Sequence, residues 1–205
     1  MNQRGSGGST LIELLIYSSL SLILLAGLYA TSELSYRYYA AGESATGAQQ
    51  ETLKGATGIA DALRGAAAET VTIQTEPPAL RFLSSGSADQ ILFDHNAGAE
   101  LMWKRWACIY LDEDTRELVL KQVDLSASSP EIPADAPALA TMIADGSLES
   151  RILARHIDEL SFLAAAADNA TDTLVTYTLT ARTDSPRLGD NRISLTSRTL
   201  IKNQD

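Results

Sequence analysis

The side chain whose chemistry most needs an account is Glu13, a carboxylate at the head of an apolar run. From Leu14 to Ser32 there is no charged residue, and Leu, Ile, Ala, Ser and Tyr dominate. Before it, Met1 to Gly8 is polar and glycine-rich, with Arg4 as its one charged side chain. A carboxylate is costly to place in hydrocarbon, so each reading of this segment must say what the acid does. A secretory signal peptide could be cut near Leu28-Tyr29-Ala30, but Glu13 would then head its apolar core without a use. A plain signal anchor meets the same objection. No Cys lies near the end of the run, which excludes a lipoprotein. Cleavage after Gly8 gives the acid a role. Ser9 then carries a terminal amine four residues before Glu13, and ammonium and carboxylate neutralise each other within a subunit or between neighbours. A carboxylate in a first helical turn also suits the positive end of the helix dipole.

Elsewhere the chemistry-bearing residues are sparse. Cys108 is the single cysteine, set in the apolar run Ala107 to Leu111; it cannot form an intramolecular disulfide and reads as a small buried hydrophobe. His95 and His156 stand in no metal-ligand spacing. There is no GxSxG elbow, GxxxxGK[ST] loop or GxGxxG fingerprint. No cofactor is expected. The one cluster able to hold Ca²⁺ through oxygen ligands is Asp112, Glu113 and Asp114, which otherwise reads as a solvated hairpin turn. Asn169-Ala170-Thr171 matches a glycosylation sequon and reads as a turn. The net charge of −10 and the sequence pI near 4.6 argue against binding a nucleic-acid backbone, which needs Lys and Arg to displace counterions. They also argue against docking of the soluble part on anionic lipid.

The elements that must position Glu13 begin with a helix over 9–68, roughly 90 Å long at ~1.5 Å per residue. Its residues 14–31 span roughly 27 Å, about one hydrocarbon core. A stripe continues through Leu34, Tyr38, Ala41, Ala45, Ala48, Thr52, Ala56, Ile59, Leu63 and Ala67 at steps of three or four, and the first proline is Pro77. Gly42, Gly47, Gly55, Gly58 and Gly65 fit either a small stripe for close sheet packing or a break near Gly42 to Gly47. Tyr36, Tyr38 and Tyr39 fit either a membrane–water interface or a head-domain core. From Thr70 onward short β runs appear: Val71 to Ile73, Leu80 to Leu83, Gln90 to Phe93. A strong hairpin follows, Trp106 to Leu111 and Arg116 to Leu125 about Asp112-Glu113-Asp114-Thr115. Ser126 to Pro137 reads as a surface loop, and Ile152 to Phe162 as helical or extended. Leu174 to Thr183 and Arg192 to Ile201 read as two final strands, with Val175, Tyr177 and Leu179 on the buried side. The fold class is α+β: a long N-terminal helix packed on an antiparallel sheet.

Gly8-Ser9-Thr10-Leu11-Ile12-Glu13-Leu14-Leu15 resembles the leader junction of type IV pilins and type II secretion pseudopilins. Ser9 stands where the family usually has Phe. The resemblance covers about the first 30 residues, and segment order in the rest is similar to the larger J-type minor pseudopilins and related minor pilins. There, a segment like Leu153 to Phe162 precedes a late strand pair, and the chain ends in a strand like Arg198 to Asn203. The resemblance implies a leader 1–8, a helix 9–68 with 14–31 in the membrane, and a β-rich head 69–205. It implies cleavage after Gly8, N-methylation of Ser9 and assembly through Glu13. The partners implied are other pilins or pseudopilins, a prepilin peptidase, an inner-membrane assembly platform and membrane lipid. The function implied is that of a non-enzymatic filament subunit near the tip, single-pass in the cytoplasmic membrane with its head outside. Since the extreme tip subunit of the family often lacks the acid, Glu13 fits a subunit lying below another. The alternative is a binding or enzymatic domain on an ordinary anchor.

Overall fold

The computed structural model describes residues 10–87, 90–93, 95, 101–167, 172–185 and 189–202. Helix α1 runs unbroken over Leu11–Arg64, 54 residues and about 81 Å. Its second half is amphipathic: Ala48, Thr52, Ala56, Ile59 and Leu63 of the expected stripe are buried, and Gly55 beside them. The helix was expected to continue to about residue 68 and stops at Arg64. Gly65 caps it, and the backbone beyond is drawn into pairing with the end of a strand. Ala67 N–H donates to Leu83 O at 2.9 Å, and Ser85 N–H donates to Gly65 O at 3.0 Å. A single 3₁₀ turn over Ala68–Thr70 is what remains of the helical course.

Among the described residues ten strands follow: β1 Thr72–Thr75, β2 Pro78–Ser84, β3 Gly86–Ser87, β4 Gln90–Phe93, β5 Trp103–Asp112, β6 Glu117–Ser129, then α2 Leu139–Ala144, β7 Glu149–Ala154, β8 Ile157–Ala166, β9 Thr173–Ser185 and β10 Gly189–Ile201. A five-stranded sheet has the order β1-β2-β5-β6-β7, and a three-stranded sheet the order β10-β9-β8, all neighbours antiparallel. The fold is therefore α+β, with two main sheets where one was expected. The β5–β6 hairpin turns where Asp112 to Thr115 suggested. Strand β6 runs on to Ser129, so the first part of the expected loop is strand, paired at Trp103↔Ser129. Ile152 to Phe162 is extended, and it is divided between the sheets by a corner at Arg155-His156.

One core joins the helix to both sheets. Ile59 and Leu63 of α1 meet Leu80 and Phe82 of β2, Ile109 of β5, Leu118 of β6, Phe162 of β8 and Val175, Tyr177 and Leu179 of β9. Alternation explains β9: Val175, Tyr177 and Leu179 are buried and the intervening Thr176 and Thr178 are not. The Tyr177 hydroxyl donates to Ala56 O of the helix at 3.0 Å, which satisfies a phenol buried in an apolar layer. Strong local geometry fixes the corner between sheets. His156 (φ 58) and Arg116 (φ 55) are left-handed, Ile157 N–H donates to Arg116 O at 3.0 Å, and Glu51 of α1 accepts the Arg155 N–H at 2.7 Å.

The helix glycines divide into two kinds. A Cβ on Gly55 would lie 3.1 Å from Ala154 Cβ, 3.2 Å from Leu179 Cδ1 and 3.3 Å from Leu118 Cδ2, whereas Gly42 and Gly47 have nothing within 4 Å. Close packing is thus the reason for Gly55, and for Gly58 against Leu153; α1 does not break at Gly42 or Gly47. Gly55→Leu should destabilise the head by about 3 kcal/mol through overpacking. Gly42→Ala should stabilise it by about 0.5–1 kcal/mol by removing a flexible residue from an exposed turn of helix. Urea unfolding of the head from residue 33 onward reads both. Similar effects at the two sites would refute this division.

Candidate functional site

The site is the N-terminal half of α1. Thr10 is the N-cap (φ −70, ψ 150), with an extended backbone before the helix. Its Oγ1 accepts the Glu13 N–H at 3.4 Å, while its own N–H donates to Glu13 Oε2 at 3.0 Å. This reciprocal pair is a capping box, which satisfies two of the donors that a helix start leaves open. Thr10 is the capping partner of Glu13 that reading the leader missed; Thr-x-x-Glu before an apolar run is its signal in the sequence. Gly8 and Ser9 lie outside the described residues, as does the Asn169-Ala170-Thr171 sequon.

Above Glu13 the helix surface is bare. Leu11, Leu14, Leu15, Leu22, Ile23, Leu24, Leu25 and Leu28 are all more than half exposed. The most apolar 18-residue window has mean hydropathy 2.1 and none of it is buried, so α1 is long and apolar enough to cross a membrane as a single-pass anchor. Three of its hydroxyls are already occupied: Ser18 donates to Leu15 O at 3.0 Å, Ser19 to Ile16 O at 2.9 Å and Thr31 to Gly27 O at 2.8 Å. That lowers the cost of taking them out of water. Glu13 is then the one acidic or basic residue from Thr10 to Ser32. Tyr36, Tyr38 and Tyr39 are 59%, 70% and 72% exposed; they do not belong to the head core.

No family model matches this chain, and neither a curated protein nor a solved structure matches it with significance.

The other candidate residues do not converge on it. Asp112, Glu113 and Asp114 occupy the β5–β6 turn, where Asp112 Oδ1 accepts the N–H of Asp114 (3.1 Å) and of Thr115 (3.3 Å). Among the described residues no three His, Cys, Asp or Glu side chains group so as to hold a metal. His156 is exposed at the corner between sheets, and His95 is exposed beside its bridge to Leu101. Cys108 is buried on the outer face of the five-stranded sheet, in register between Arg81 and Lys121. Burial pushes its thiol from an ordinary 9.0 to about 11, against a smaller lowering by Lys121. Burial likewise raises Tyr110.

That face is covered by α2 and its flanks, pinned through backbone carbonyls. Lys121 Nζ donates to Ile143 O (2.6 Å) and Asp145 O (2.9 Å), and Arg81 Nη1 donates to Pro137 O at 2.6 Å. Charged hydrogen bonds of this kind are worth about 1.5–3 kcal/mol each. Wild-type Cys108 should therefore resist Ellman's reagent in the folded head. Lys121→Met should raise its labelling rate about tenfold or more by freeing the cover. Equal rates would show that Lys121 does not hold it. The raised thiol also sets a pH dependence. The unfolded chain releases its proton first, so this contribution is full below pH 9 and is lost as pH rises toward about 11.

Proposed function

We propose that this chain is a minor pilin or pseudopilin, a non-enzymatic subunit of a type IV pilus-like or type II secretion filament. The observation that carries the reading is the division of α1. One continuous helix contributes its second half to the core of the head and leaves its first half, apolar on every side, uncovered. Such a helix suits two successive environments, a bilayer before assembly and the packed helices of a filament afterwards. On this reading a prepilin peptidase cuts after Gly8 and Ser9 is methylated. The head faces the periplasm or the outside, and other pilins, together with an inner-membrane platform, take up the helix. Glu13 pairs with a terminal amine inside the apolar bundle.

One observation favours a second reading. The capping box gives Glu13 a local task that any helix start could use, which would suit a binding or enzymatic domain on an ordinary anchor. Photo-crosslinking groups at Leu22 and Leu24 in living cells separate the two. The filament reading expects adducts with other chains that carry an apolar N-terminal helix, identified by peptide mass. Adducts with lipid alone would overturn it in favour of the anchor.

A further inference from the structure

Where α1 passes the head, one side of it is packed and the other is not. Ala48 is buried, while Thr46, two residues and about 200° away round the helix, is exposed. From Leu53 the uncovered side can be followed toward the N-terminus in alternating steps of four and three residues, the 3.5-residue spacing at which one helix keeps the same side turned to another. Every residue on this line back to Leu14 is exposed. None is charged, although Glu33, Arg37, Glu43 and Glu51 lie between those ends. Its middle reads Leu25, Leu28, Ser32, Ser35, Tyr39 and Gly42, a mixture of small and apolar residues that suits close contact between helices.

Three features of the line call for a partner. Leu53, 49% exposed, ends it. This apolar side chain on the wet side of the helix stands about 33 Å beyond residue 31, out of reach of lipid. Toward the other end, Ser21 falls near the middle of 14–31. The hydroxyls of Ser18, Ser19 and Thr31 return to carbonyls of α1 and that of Ser21 does not, so in hydrocarbon it lacks an acceptor. Between them, Gly42 has nothing within 4 Å of a Cβ built on it, and Tyr38, Tyr39, Gly42, Glu43 and Thr46 help to line a depression of about 620 Å³ formed by α1 residues alone.

A soluble partner cannot cover Ser21, and lipid cannot cover Leu53. An occupant of the whole line crosses the same membrane and continues outward as a helix for about 30 Å more. The α1 helix of a second copy does both. We propose that two copies of this chain pair in the membrane through this side of α1, parallel and level with each other. The bilayer holds both helices at one height, so Ser21 meets the partner's Ser21 and the two hydroxyls bond across the pair. Tyr39 enters the room over the partner's Gly42. Tyr38 and Glu43 flank the line, and in a parallel pair the Tyr38 hydroxyl faces the partner's Glu43 carboxylate. The pairing rests on the membrane-anchor part of the function proposed above and not on the filament part.

The test places the full chain at low density in vesicles of phosphatidylcholine and phosphatidylglycerol, with one added cysteine per variant, and oxidises it. Cys108 can stay, because it is fully buried. Leu25→Cys, Ser32→Cys, Tyr39→Cys and Thr46→Cys sample the line, and Ile23→Cys, Ala30→Cys and Arg37→Cys sample the opposite side. The first group should form disulfide dimers at least tenfold faster than the second. Gly42→Leu, at a site open in its own chain, should slow dimer formation at Tyr39→Cys about tenfold or more and leave the head folded. Equal rates on both sides, dimers chiefly on the second, or none at all would overturn the pair and leave the anchor and filament readings standing. An undiminished rate in Gly42→Leu would also refute the pairing as drawn. A chain that does not float with the vesicles would refute the anchor, and the pair with it.

Discussion

Glu13→Ala should leave membrane insertion and leader removal intact and reduce incorporation into the filament by orders of magnitude. The apolar replacement is at no disadvantage in a membrane. On the proposed filament reading it removes the partner of a terminal amine that enters an apolar bundle, and an uncompensated buried charge costs about 3–5 kcal/mol. Glu13 also accepts the Thr10 N–H, a bond worth only about 0.5–1.5 kcal/mol. Glu13→Gln separates the two roles, since glutamine completes a capping box as glutamate does but carries no charge. Glu13→Gln should therefore cap the helix normally and still fail to assemble. Crosslinking between subunits, with membrane levels measured in parallel, reads both variants. If Gln assembles like the parent while Ala does not, the acid acts as a helix cap and not as a counter-charge.

Gly8→Leu should abolish leader removal. The proposed peptidase must accept extended backbone with no side chain before the scissile bond, and a leucine there presents a branched side chain to that site. The precursor would be about eight residues heavier on a gel and would remain in the membrane through the same helix, because α1 itself is unchanged. Ser9→Phe, which restores the family's usual residue, should be cut at least as well as the parent. Normal trimming of Gly8→Leu would remove the cleavage assignment.

The parts of this fold that were legible from sequence are those in which local pattern and tertiary role coincide. The charge-free run from Leu14 and the absence of proline before Pro77 gave α1, and strict alternation gave β9 with Tyr177 inward. The acidic turn gave the β5–β6 hairpin. Cys108, read as a buried hydrophobe, is one. The parts that were not legible depend on distant backbone. Arg64 ends the helix because Gly65 and Ala67 find partners at Ser85 and Leu83, which no window around Arg64 contains. Ser126 to Ser129 has loop composition and is held as strand by pairing at Trp103. The change of sheet at His156 requires a left-handed residue that histidine does not announce. The glycines of α1 look alike in sequence, and only the approach of Ala154, Leu118 and Leu179 distinguishes Gly55 from Gly42. At the site, Glu13 was prominent because it is an acid in an apolar run. Thr10 was not, although Thr-x-x-Glu has the capping-box spacing, because only the hydrogen bonds show the pair formed at this helix start.

The measurement that bears most directly on the filament reading is the mass of the mature N-terminal peptide, taken from protein purified from its native membrane. The account expects a peptide that begins at Ser9 and carries one extra methyl group on its amine. A peptide that begins at Met1, or one that begins after Ala30, would contradict it, the first in favour of an ordinary anchor and the second in favour of a cleaved signal peptide.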